Sequence, residues 1–309
     1  MNVSFRQLRL FKALAETGSV TAAARVMHVT QPTASMQLKE LSNSIDMQLF
    51  EFVGKKIYLT EAGKALALSA QSISQEWESF EQAISEMKGL KTGTLRIAVV
   101  STAKYFIPSL VGNFSSNYPD VDIALEVLNR DAVVARLEKN MDDMVIMTQP
   151  PEHLEIEDEV FLDNPLVCIA PKNHPFKDKE ICLKDLENEY FVMREIGSGT
   201  RMSCDLFFKD KKVSPKIRLT LGSNEAIKQS VISNLGLSIV SIHSLTEYDL
   251  KEALCILKVK DFPIKSQWHI VTPKGKRLSP IAKIFHDQLL IKATKINTNA
   301  NQITSLSTM

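Results

Sequence analysis

Apolar positions recur at three- and four-residue steps through the first ninety residues, and the pattern then changes. Leu8, Phe11, Leu14 and Ala15 share one side of a helix over 5–16. Ser19 suits the N-cap of a second, alanine-rich helix over 20–27, because its hydroxyl can accept from a free backbone N–H. After "HVT", Thr30 is a natural cap for a third helix running to Ile45. Pro32 fits its first turn, where the missing N–H has no helical partner to lose. Ala34, Leu38, Leu41 and Ile45 cluster on the inward face of that helix. The opposite face carries Pro32, Ser35, Met36, Lys39 and Asn43, a short, polar, lightly cationic surface that core burial does not explain. Next, apolar residues flank Gly54-Lys55-Lys56 in "FEFVGKKIYLT", which predicts a β-hairpin with a basic tip. Thr60 then caps a long helix over about 61–90. Leu66, Ile73, Trp77, Phe80, Ile84 and Met87 form a coiled-coil-like seam along it, read as a dimer contact.

"LKTGT", Leu90 to Thr94, reads as a hinge. Beyond it, apolar runs such as "LRIAVV", "MVIM", "LVCIA" and "LSIVSI" alternate with helical stretches near 104–117, 131–139, 202–211, 224–234 and 279–293. Such alternation predicts α/β architecture with largely buried strands. The tail "NTNANQITSLSTM" is polar and is expected to be disordered.

Composition narrows the picture. With 309 residues there is length for two or three domains, and a net charge of +1 leaves any charge-driven binding local. No apolar run nears the roughly 20 residues needed to span a bilayer, and the N-terminus lacks the unbroken apolar core of a secretory signal, so a cytoplasmic protein without a membrane partner is expected. Cys168, Cys182, Cys204 and Cys255 show no C-x-x-C spacing and no histidine at zinc-ligand distance, which predicts four buried thiols and no metal. None of the six histidines (His28, His153, His174, His243, His269, His286) sits in a hydrolase, metalloprotease or phosphate-loop motif, so no catalytic residue and no cofactor are expected.

Two crossing helices with a short turn, followed by a basic-tipped hairpin, describe a winged helix-turn-helix, although three-helix units also occur as plain structural modules. In the DNA-binding version the second helix of the turn enters the major groove. Small polar side chains let its backbone approach the bases, and Lys39, with Lys55 and Lys56 in the wing, can neutralise phosphates on either side.

Residues 5–65 resemble the DNA-binding domain of the LysR-type transcriptional regulators through "RQLRLFKALAETGSVTAAA", "HVTQPTASMQLKEL", "QLF" and "LTEAG", in matching order and spacing. The likeness continues through the linker helix and a domain resembling type 2 periplasmic binding proteins, to about residue 293. It implies a multidomain α+β and α/β chain: winged helix-turn-helix 1–60, linker helix 61–91, effector domain 92–293, and tail 294–309. The effector domain would have one lobe from 92–163 and 266–293 and another from 164–265. Thr30, Gln31, Pro32, Thr33, Ser35, Met36, Lys39, Lys55 and Lys56 are the expected DNA contacts. Met36 departs from the family, which commonly has arginine there; a thioether cannot make arginine's bidentate contact to guanine but can lie against a thymine methyl. Phe52 stands where "LFER" is usual, and Ser42-Asn43-Ser44 where acidic residues are usual.

By the same resemblance an effector lies between the lobes, against Ser101, Thr102, Thr148, Gln149, Gly197, Ser198, Gly199, Thr200, Arg201, Ser223 and Asn224. Hydroxyls and helix N-termini there favour a small anionic metabolite, and Arg201 can grip a carboxylate or phosphate. Ser101 and Ser223 read equally well as helix caps, and Arg201 as one half of a surface salt bridge. "GSGTR" also occurs in family members that regulate carbon-fixation operons. The implied protein is a homodimer or homotetramer on double-stranded promoter DNA, an activator or repressor, with RNA polymerase as a further partner. Two other readings remain open: a regulator-like protein acting through protein contacts, and a small-molecule-binding protein without specific DNA reading.

Overall fold

The computed structural model describes residues 2–54, 56–87 and 92–306. Lys55, residues 90–91 of the expected hinge and the last three tail residues lie outside the described residues. The chain divides into two units, Met1–Lys88 with Lys139–Met141, and Gly89–Glu138 with Asp142–Met309.

In the first unit, α1 (Phe5–Thr17) starts at Ser4, whose hydroxyl accepts from the Gln7 N–H while the Gln7 side chain accepts from the Ser4 N–H. This reciprocal cap satisfies two donors that a helix start leaves unpaired. Helix α2 (Val20–Val26) is capped by Ser19 and α3 (Gln31–Ile45) by Thr30, with Pro32 in the first turn. Leu10, Phe11, Leu14, Ala23, Ala24, Ala34, Leu38, Leu41 and Leu49 form one core, and Ile45 packs on it part-buried. Each such leucine contributes about 1.5–3 kcal/mol by leaving water. Strands β1 (Phe50–Val53) and β2 (Lys56–Leu59) pair antiparallel, Phe50 opposite Leu59 and Val53 opposite Lys56. Thr60 closes the hairpin by donating to the Gln48 carbonyl at 2.7 Å and caps α4 (Glu61–Met87) by accepting from the Gly63 N–H at 3.0 Å. Gly63 has a steric reason: a Cβ there would stand 1.8 Å from the Leu49 carbonyl oxygen, so only glycine lets α4 start against the hairpin.

The second unit has two lobes. Its first sheet contains β3 (Gly93–Val100), β4 (Val121–Leu128), β5 (Met144–Met147), β6 (Ile156–Asp163) and a late strand, Gln267–Pro273. The order is β4, β3, β5, the late strand, β6; β3 runs parallel to β4 and β5, and the late strand antiparallel to β5 and β6. A short 3-10 turn, Ser101–Tyr105, follows β3 and leads into α5 (Ile107–Asn117); α6 (Arg130–Glu138) joins β4 to β5. The chain then passes into the second lobe: β7 (Leu166–Pro171), β8 (Glu180–Ile181), β9 (Tyr190–Arg194), α7 (Gly199–Asp210), β10 (Lys216–Leu221), α8 (Asn224–Ile232), β11 (Ser238–Ser241), β12 (Leu254–Ile256) and β13 (Lys258–Val259). There β7 lies between β11 and β12, and β9 pairs parallel with β10. The late strand, β14 (Gln267–Pro273), brings the chain back to the first sheet. The outgoing and returning segments meet where the Asn164 N–H donates to the Ser266 carbonyl at 2.9 Å. Trp268, Phe114 and Phe285 anchor the first lobe's core; Phe191, Phe208 and Leu237 belong to that of the second.

Helix α9 (Pro280–Leu306) runs well past residue 293, into the tail expected to be disordered. Polarity misled that reading: residues 281–306 contain no glycine or proline to interrupt a helix already started. A second correction concerns the thiols. Cys168, Cys204 and Cys255 are buried, but Cys182 is only half-buried.

Candidate DNA interface and effector cleft

The outer face of α3 is open. Gln31, Pro32, Met36 and Lys39 are exposed, with Thr33 and Ser35 half-buried beside them. Met36 is 55% exposed, so it does not serve the core of its own unit. Thr30 and Thr33 share a hydroxyl hydrogen bond at 2.8 Å, and the Gln31 side-chain amide donates to the Ser35 hydroxyl at 3.0 Å. These contacts hold small polar groups flat at the start of the helix. Lys56 is exposed in the hairpin, and Phe52 is 64% exposed with its ring edge-on to Phe50 at 5.9 Å. The face thus combines a helix start, short polar side chains and flanking cations, the combination that fits a groove edged by phosphates.

In the second unit the structure brings the expected effector residues together from both lobes, tied to one another in two seams. The first is built on Arg194, which sequence reasoning missed. Its side chain is 3% exposed. Nε and Nη2 donate to the Glu195 carboxylate at 2.7 and 2.8 Å, Nη1 to Asn224 Oδ1 at 3.0 Å and Thr102 Oγ1 at 3.2 Å, and Nη2 to Ser101 Oγ at 3.2 Å. A guanidinium has five N–H donors, and these contacts engage all of them. Burial raises the Glu195 carboxyl, but the hydrogen bonds and charge of Arg194 outweigh it and hold the group below the ordinary carboxylate value. Beside this knot, Glu225 of α8 accepts from Lys104 Nζ at 2.7 Å and from the Tyr105 hydroxyl, both on the 3-10 turn of the other lobe. Burial works to raise Glu225, yet the Lys104 and Tyr105 hydrogen bonds prevail and pull it down to about 2. Burial, with Glu225 alongside, pushes the Tyr105 phenol up.

The second seam joins the end of β5 to the start of α7. The Gln149 side-chain amide donates to Ser203 Oγ at 3.1 Å, and Arg130 donates from Nε and Nη2 to the Gln149 carbonyl at 3.2 and 2.9 Å. Here the backbone of α7 approaches Thr148 so closely that a Cβ on Gly199 would lie 2.1 Å from Thr148 Oγ1. Gly197 takes φ +89°, the left-handed turn that aims Ser198 to cap α7 through the Arg201 N–H. Thr200 is buried in the first turn. Ser223 caps α8 through the Ala226 N–H, the simple capping role open to it from the sequence.

Arg201 takes the salt-bridge role that the sequence left open beside the anion grip. Its Nε is paired with both Asp205 oxygens at 2.9 and 3.0 Å, and Nη1 donates to the Arg194 carbonyl at 3.1 Å. Its position supports the site's backbone, and Arg194 holds the cleft. One signal was available: "YFVMRE" ends an apolar run on an arginine, and a buried strand can hold such a charge only if it is fully paired.

The family description "Bacterial regulatory helix-turn-helix protein, lysR family" matches residues 5–64, and "LysR substrate binding domain" matches residues 88–293. The chain belongs to the LysR family. As a LysR protein it is a DNA-binding transcriptional regulator with an effector-binding domain, and none of its described helices is long and apolar enough to cross a membrane. Among its relatives, the HTH-type transcriptional activator CmpR of Synechocystis is 42% identical over 289 residues, covering 93% of this chain and 95% of that protein. The RuBisCO operon transcriptional regulator of Allochromatium vinosum is 42% identical over 299 residues, covering 96% and 99%. Among solved structures, the Synechocystis CcmR regulatory domain in complex with 2-PG (2-phosphoglycolate) shares 42% identity at TM-score 0.62, covering 65% of this chain and 97% of that one. Full-length CbnR complexed with its target DNA, 22% identical at TM-score 0.63 and covering 93% and 99%, shows the same LysR fold.

Proposed function

We propose that this LysR regulator controls carbon-fixation genes and that a small phosphorylated acid of the 2-phosphoglycolate type sets its activity. The observation that carries the reading is the cross-lobe cluster of Ser101, Thr102, Lys104 and Asn224, hydroxyl, amide and cationic groups gathered around the fully paired Arg194 in a chain 42% identical to a regulatory domain that holds that anion. Relatives named for the RuBisCO operon supply the gene class. Ser101, Thr102, Thr148, Gln149, Gly197–Arg201, Ser223 and Asn224 frame the effector site. Thr30 to Thr33, Ser35, Met36 and Lys39, with Lys55 and Lys56, are the DNA contacts. The chain works in the cytoplasm as a homo-oligomer joined along α4 and acts on RNA polymerase at the promoter.

Footprinting on the gene's own upstream DNA tests this. Across a salt series, with and without 2-phosphoglycolate, the expected result is a protected, roughly palindromic site whose boundaries or affinity respond to the anion. In the same assay Met36→Arg is expected to tighten binding and to steepen the dependence of affinity on salt, as one more cation near the groove does. Absence of protection at low salt would defeat the reading for that promoter.

A further inference from the structure

Arg194 has no donor to spare, Arg201 is committed to Asp205, and a further cation at the cleft, Lys104, is held by a carboxylate of the opposite lobe. Glu225 therefore occupies, from within the chain, a place with the chemistry of an anion site. One cationic and one phenolic donor converge on it, from Lys104 Nζ and the Tyr105 hydroxyl. Ser223 Oγ also donates to it at 3.2 Å. The pair is not sealed: the Lys104 and Glu225 side chains are 38% and 49% exposed, so an incoming anion can reach both. Lys228 also stands by Tyr105, its ammonium 5.8 Å from the ring centre and itself fixed by Asp249 at 2.8 Å and the Ser244 carbonyl at 3.1 Å. The donors are thus preorganised while the acceptor, at the first turn of α8, is the replaceable member.

We infer that Glu225 is an internal stand-in for the phosphoryl group of the effector, and that Lys104 and Tyr105 are the residues that select a phosphorylated acid over an unphosphorylated one. The inference rests on the effector reading above. A phosphoryl group carries more charge than a carboxylate and a third acceptor oxygen, so it outcompetes Glu225 for the same donors. The released Glu225 then repels the anion's charge from α8 and no longer ties the 3-10 turn to the second lobe. Binding and the change of inter-lobe contacts become one event, which gives the ligand the differential affinity that any switching ligand needs.

The test is isothermal titration of the full-length protein and its Glu225→Gln and Lys104→Gln variants with 2-phosphoglycolate, and in parallel with glycolate. Unchanged thermal unfolding confirms that each variant is folded, and Tyr105→Phe serves as a second, near-isosteric probe of the donor pair. Removing the internal competitor in Glu225→Gln is expected to tighten 2-phosphoglycolate binding about tenfold, the effect of about one charge-assisted hydrogen bond. Lys104→Gln is expected to weaken it by a similar factor, Tyr105→Phe to weaken it less, and glycolate to respond to none of them. Wild-type binding with all three variants within twofold overturns the inference and leaves the effector reading standing. Weaker binding to Glu225→Gln also overturns it, because Glu225 then supports the ligand. If neither the wild type nor Glu225→Gln binds 2-phosphoglycolate, the effector reading itself falls.

Discussion

At the residue scale, buried charge in the second lobe is paired with opposite charge and hydrogen-bonded. Lys228 and Asp249 show the energetic side of this. Their side chains are 10% and 13% exposed, and Asp249 also accepts from the Thr246 N–H and hydroxyl at 2.8 and 2.9 Å. Burial pushes Asp249 up, but hydrogen bonds from Lys228 and Thr246 prevail and lower it. Removing the lysine strands a buried carboxylate, so Lys228→Met is expected to cost about 3 kcal/mol in the unfolding free energy measured by urea titration. Because the folded value of Asp249 lies below its unfolded one, its stabilisation is present above the ordinary carboxylate range of about 4 and is lost as pH falls through the folded value. Urea titrations at falling pH should therefore show an acid-side loss of stability in the wild type that Asp249→Asn lacks. An equal loss in both would assign it to other carboxylates. Cys168 and Cys204 lie at the opposite extreme, since burial raises both thiols and keeps them protonated.

Elements differ in how openly the sequence announces them. The first three helices of the first unit were legible because their signals are local: an amphipathic stripe, a capping Ser or Thr, a proline in the first turn. The candidate effector residues came from the family resemblance rather than from periodicity, and of them Ser198 and Ser223 stand as helix caps. What escaped were pairings made by the fold. Lys104 and Glu225 are 121 residues apart, and Arg194 lies 92 residues from Thr102, distances over which periodicity carries no information. The 3-10 turn Ser101–Tyr105 was read partly as the start of the following helix, because 3-10 and α turns look alike over five residues. Helix α4 raises a different question. Ile73, Trp77 and Phe80 are 44%, 49% and 53% exposed on it, and Trp77 contacts Phe80 and Phe5 at ring distances of 5.6 and 5.5 Å. If this aromatic stripe is the seam between copies, a Trp77→Ser, Phe80→Ser double variant should weaken dimerisation by at least about 2 kcal/mol, as truncation of aromatic anchors does. Sedimentation velocity at falling concentration checks this, and an unchanged dimer would place the seam elsewhere.

For the whole molecule, the argument turns on linkage. The hydrogen bonds between the lobes of the effector unit include Arg194 to Ser101 and Thr102, Glu225 to Lys104 and Tyr105, and Gln149 to Ser203. A ligand that replaces some of them must favour one lobe arrangement over another, and it reaches DNA only by as much as that preference. Typical couplings of this kind are about 1–3 kcal/mol, roughly 5- to 150-fold in affinity. Reciprocity makes the expectation strict. If 2-phosphoglycolate changes operator affinity by some factor, operator DNA must change 2-phosphoglycolate affinity by the same factor. Titrating the anion into free protein and into protein saturated with operator duplex measures one side; titrating operator with and without the anion measures the other. Equal, non-unit factors are the expected outcome, and Glu225→Gln should shrink both together, because a protein without its internal competitor has less to exchange on binding. Two factors of one, with both ligands bound, would mean that the anion leaves affinity untouched. The regulator would then act through the path of the bound DNA, which the footprint boundaries read directly.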